Sequence, residues 1–69
     1  MNIETIKNAL YEIKNNQDDD EVQHSLEDKL LWDFVKHINE SRDKYPAELR
    51  LMAAEILKSK DIKFNRWYA

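Results

Sequence analysis

The stretch Val22-Gln23-His24-Ser25-Leu26-Glu27-Asp28-Lys29-Leu30-Leu31-Trp32-Asp33-Phe34-Val35-Lys36-His37-Ile38 decides the fold. Val22, Leu26, Leu30, Phe34 and Ile38 recur at steps of four, the spacing that stacks side chains on one side of an α-helix. Leu31 and Val35 widen that side until it covers roughly 220° of the wheel, more than one neighbour can bury. A helix over about 20–40, packed from two sides and central to the fold, is the expectation. The acids before it suit the positive end of the helix dipole. Asp19 or Asp20 can cap it, and Asp20 with Gln23 has the spacing of a capping box.

Two further helices follow, working outward. Upstream, Ile3, Ile6, Leu10 and Ile13, with Ala9 beside them, form a narrow stripe that leaves Lys7, Tyr11 and Lys14 outside. Asn2 is the expected N-cap, and Asn15-Asn16 the end, since Asn tolerates the left-handed conformation; the helix covers about 2–16. Downstream, Pro46 fits the first turn of a helix over about 46–59, where its missing N–H costs nothing. Leu49, Met52, Ala53, Ile56 and Leu57 make its inner face, Leu51 falls opposite, and fraying is expected near Ser59-Lys60. The tail, 60–69, is dense in large apolar groups. Ile62, Phe64 and Trp67 are expected to fold back over the open end of the core. The class is therefore all-α: one domain over 1–69, a compact three-helix bundle with an ordered aromatic C-terminal tail.

Composition agrees and narrows function. A chain of 69 residues closes only one core, and marginally. It has no glycine, which argues against tight hairpins and excludes the phosphate-cradling and dinucleotide loops. It has no cysteine, so a disulfide framework and a cysteine-based zinc site are out. No run of about 20 apolar residues is present to span a bilayer, and the start lacks a signal-peptide pattern, so a cytoplasmic location is expected. Residues 1–40 hold ten acids against four bases, while 41–69 hold seven bases against four acids. The halves either attract each other within one fold or make a bipolar surface for a charged partner or a second copy.

Glu27 is the most informative polar residue. It falls between Leu30 and Leu31 inside the apolar arc, where a carboxylate needs a donor. The structural reading gives it Arg66, Arg50 or a tryptophan indole as partner. The chemical reading, a general acid or base, lacks a nucleophile or a second convergent carboxylate. Glu21 and His24 have the Glu-x-x-His spacing of dimetal sites, but such sites need the motif twice, so they are only weak candidates for a metal-binding alternative. His37 stands four residues after Asp33, at ion-pair spacing. Arg42, Lys44, Lys58, Lys60 and Lys63, interleaved with aromatic groups, carry the first alternative, nucleic-acid contact, ahead of the metal-binding one. The net charge of −3 counts against it.

The stretch His24-Ser25-Leu26-Glu27-Asp28-Lys29-Leu30, then Asp33-Phe34-Val35, with the ending Arg66-Trp67-Tyr68-Ala69, resembles a group of very small bacterial and phage proteins of unassigned function. Members typically pair a His-x-x-Glu-Asp-x-Leu helix with an Ile-x-Phe-x-Arg-Trp ending. The resemblance covers roughly 18–69 and brings no cofactor or catalytic residue. It does imply that the two stretches meet, with Arg66 or Trp67 docked near Glu27 or Asp28. The expected function is a non-catalytic accessory protein, of phage or prophage origin, that occupies a protein surface without a cofactor. Trp32, Leu51 and Tyr68 are its candidate contacts, the partner is an unidentified protein, and a homodimer is one form such contact can take.

Overall fold

The computed structural model describes residues 1–41 and 46–66. Three helices run α1 (Ile3–Asn15), α2 (Asp20–Ser41) and α3 (Pro46–Leu57), and a 3-10 turn, Lys58–Asp61, follows α3 directly. No strand occurs among the described residues, and the architecture is the all-α three-helix bundle expected. None of the helices is long and apolar enough to cross a membrane.

The helix starts follow side-chain chemistry. Asn2 Oδ1 accepts from the Thr5 backbone N–H at 2.9 Å, while the Asn2 N–H donates to Thr5 Oγ1 at 3.0 Å, a reciprocal box that satisfies two groups α1 leaves orphaned. Asn16 ends α1 without entering the left-handed region, at φ −96° and ψ 35°. Its side-chain amide donates to the Glu12 carbonyl at 2.8 Å, which satisfies that carbonyl without the backbone inversion expected of Asn here. Asp19 caps α2 by accepting from the Val22 N–H at 3.1 Å. The Asp20–Gln23 box does not form. Asp20 instead accepts from the Asn65 backbone N–H at 3.1 Å, tying the tail to the start of α2.

The core is small. Ile6 and Ile13 of α1, Leu30 of α2, and Met52 and Ile56 of α3 are buried, with Leu10, Leu26, Phe34 and Leu49 packed around them. Ile62 and Phe64 from the tail join this shell, as expected, whereas Trp67 and Tyr68 lie outside the described residues. Ser59 does not fray: it is buried within the 3-10 turn.

The order of packing corrects the expectation for α2. The narrow helix α1 packs against both other helices more extensively than those two pack against each other. Helix lengths explain it. At 1.5 Å per residue, the 22 residues of α2 extend about 33 Å, whereas the 13 of α1 and 12 of α3 reach only about 20 and 18 Å. Two short helices cannot cover a broad arc over that length. Leu31, Val35 and Ile38 therefore stay exposed on α2, as does Leu57 on α3, which was expected to face inward.

Candidate functional site

Glu27 sits on α2 with 7% of its surface exposed, and Arg66 reaches it from the tail. The guanidinium engages both carboxylate oxygens, Nε to Oε1 and a terminal nitrogen to Oε2, each at 2.9 Å. The same terminal nitrogen donates to the Ser59 carbonyl at 2.9 Å and, at 3.3 Å, to that of Ile62. Only the planar fork of arginine serves a carboxylate and two carbonyls together. Phe64 lies under the guanidinium, its ring centroid 3.8 Å from Cζ. Arg66 thus joins α2, the 3-10 turn and the tail through one side chain.

The electrostatics of the pair have a clear sign. Burial is the largest influence on the Glu27 carboxyl and pushes its pKa up. Hydrogen bonds from Arg66 and Ser59, with the charges of Arg66 and His24, outweigh it together and hold Glu27 below its ordinary value. The bonds to Glu27 raise Arg66 in turn. A carboxylate held ionised, with both oxygens engaged, is a structural clasp; a general acid or base needs a group free to exchange its proton near neutral pH. Of the partners open to Glu27 on sequence grounds, the structure selects Arg66. Asp28 stands outside the clasp, exposed and 3.5 Å from His24 Nε2.

The remaining candidates scatter. Glu21 is exposed, His24 is directed to Asp28, and no group of three His, Cys, Asp or Glu side chains able to hold a metal comes together among the described residues. Asp33 is engaged by Lys29 at 2.8 Å, not by His37. Lys58, Lys60 and Lys63 are exposed, Lys58 being held by Glu55 at 3.1 Å, while Arg42 and Lys44 lie outside the described residues. Trp32 and Leu51 project into solvent, at 71% and 64% exposure. They do not share a face: Leu51 stands about 120° around α3 from Leu57, the residue turned toward α2.

Two features escaped the sequence reading. A cleft of about 360 Å³ separates α2 from the end of α3, with Leu31 and Leu57 on its walls beside Glu27, Lys60 and Arg66. Val35 and Ile38 continue from Leu31 along α2, and Trp32 stands one turn from Val35, so the cleft opens onto an apolar strip. The second is Gln23, fully buried, whose Nε2 donates to the Ile13 carbonyl at 2.8 Å. Its spacing to Glu27 and Leu30, four and seven residues on, was a signal that it lies on the packed side. No protein-family model matches the chain, and no curated protein or solved structure matches it.

Proposed function

We propose that this is a non-catalytic accessory protein that acts by occupying the surface of another protein. The observation that carries the reading is the strip Leu31, Val35 and Ile38 on α2, joined across the cleft by Leu57 and flanked by Trp32. Single exposed apolar groups are ordinary, but several large ones aligned on a chain this small mark a contact. A tryptophan beside such a strip is the side chain most often found at the energetic centre of interfaces. Leu51 lies off this strip and is not part of the proposed face. A phage or prophage origin belongs to the same reading and rests on the sequence resemblance alone.

A photo-crosslinking residue placed at position 35, and separately at position 29 on the polar side of α2, tests the face in living bacteria. A discrete adduct from position 35, absent from position 29 and abolished by Leu31→Ser, is the expected result. Its mass tells a foreign protein from a second copy of this chain. No adduct at position 35, or the same set from both positions, overturns the proposal.

A further inference from the structure

A second surface, distinct from the apolar strip, is built for a different ligand. A groove of about 670 Å³ runs between α1 and the junction of α3 with the 3-10 turn. Lys7 and Lys14, two turns apart on α1, form one rim, and Lys58 and Lys63 form the other. Glu55 pairs with Lys58 at 3.1 Å, so among the described lining residues Lys7, Lys14 and Lys63 are set against one further carboxylate, Asp61. The groove is therefore locally cationic on a chain whose net charge is −3. Tyr11 stands between the two α1 lysines with its ring exposed, and Leu10 and Ile62 supply apolar wall.

Gln23 adds an observation independent of the lysines. It lines the groove, is fully buried, and its Oε1 has no hydrogen-bond donor among the described residues. The amide cannot be turned round, because Nε2 is fixed on the Ile13 carbonyl, which an oxygen in its place would repel. Buried acceptors without a donor are rare in folded chains and call for an explanation. Here the acceptor belongs to a residue that lines a groove with a flat aromatic face and several ammonium groups. A ligand that answers all three features carries an N–H donor on a planar body and an anionic group at its far end.

We infer that this groove binds a nucleoside phosphate, either free or as one unit of a single strand. The heterocycle lies against Tyr11, Leu10 and Ile62, one of its N–H groups donates to Gln23 Oε1, and the phosphate sits among Lys7, Lys14 and Lys63. Gln23 is closed to solvent in the free chain, so the ligand reaches Oε1 only when a neighbouring side chain of the groove turns aside. This is a different site from the apolar strip, and neither proposal depends on the other.

The test is a titration of the isotope-labelled full chain, followed by NMR, with each of the four nucleoside monophosphates, inorganic phosphate and a short oligodeoxyadenylate. The Gln23 side-chain amide is the diagnostic signal, since a merely electrostatic association leaves it unmoved. Binding that shifts this amide and the Leu10 and Tyr11 signals is expected. Lys7→Glu with Lys14→Glu should weaken it by about tenfold or more, and Lys29→Glu with Lys36→Glu, the same charge change on α2, by about twofold or less. Saturation by mononucleotides identifies a free nucleotide as the ligand; response to the oligonucleotide alone identifies a strand. The inference is overturned by equal losses in the two charge variants, by inorganic phosphate reproducing the shifts, or by no response at millimolar ligand.

Discussion

Replacing Arg66 by methionine asks how much of this small fold hangs on one side chain. The substitution keeps most of the apolar stem and removes the fork. Two charge-assisted bonds to Glu27 and one to the Ser59 carbonyl are lost; the fourth, to Ile62 at 3.3 Å, is long enough to add little. Glu27 then stays buried with Ser59 and His24 but no guanidinium. Breaking a buried pair from one side costs about 3–5 kcal/mol, and because the Arg66 side chain is 36% exposed, solvent screening reduces this to about 2–4 kcal/mol at neutral pH. A chain of 69 residues has only about 3–10 kcal/mol in total, and each kcal/mol moves its melting point by about 4–8 °C.

Urea titration followed by circular dichroism reads this loss directly, and pH gives it a signature. Without Arg66, burial pushes the Glu27 carboxyl above its unfolded value, so the variant is penalised where the unfolded carboxylate is ionised and relieved in acid. The deficit against wild type should shrink as pH falls from 7 toward about 4.5. Arg66→Lys keeps the charge without the fork and should lose about 1–2 kcal/mol. Glu27→Leu with Arg66→Met removes both charges and should recover most of the single loss. A loss below about 0.5 kcal/mol for Arg66→Met, or a deficit independent of pH, refutes the clasp as described.

Three other outcomes follow from the same structure. In the wild type the folded Glu27 carboxyl lies below its ordinary value of 4.5, so its share of stability is present above that pH and lost as pH falls through the folded value; wild type should fall more steeply than Glu27→Gln below that point, as acid titration of urea midpoints will show. Asn2→Ala removes the cap of α1 and should cost about 1 kcal/mol, seen as a lower midpoint with an unchanged urea slope. Val35→Glu should leave stability within about 0.5 kcal/mol, because Val35 is 52% exposed, whereas Leu30→Glu, on the same helix but buried, should abolish folding; a large loss at Val35 by thermal melting would mean that the strip belongs to the core.

The features legible in the sequence were those with a local cause. Asn2, Asp19 and Pro46 mark helix starts because their side chains act within one turn, and the structure places α1, α2 and α3 within a residue or two of the expected spans. Glu27 was legible for a different reason: a carboxylate within an apolar arc needs a cation whatever the fold. Periodicity did not say which cation arrives, because Arg50 and Arg66 differ only in where the chain carries them; it was the resemblance that implied Arg66 or Trp67. Gln23 was read as a capping residue and its burial was missed, because a neutral amide raises no charge to be balanced, and its partner, the Ile13 carbonyl, belongs to another helix.

The misplaced centre of the bundle has the deepest consequence. A helical wheel reports what a helix would bury if enough surface were offered to it; it says nothing of how much its neighbours can supply. Here α2 carries the widest apolar arc on the longest helix, while α1 and α3 are each little over half its length. The surplus does not lie at random. Apart from Val22 near the start of the helix, it begins at Leu31, one turn beyond Glu27, and faces Leu57 across the cleft whose far wall Arg66 holds in place through Ser59. The clasp therefore fixes one edge of the strip that the core leaves uncovered. A contact surface next to the strongest polar link in the molecule is held in shape without a large core behind it, which is how a chain this small can present a defined apolar face to a partner.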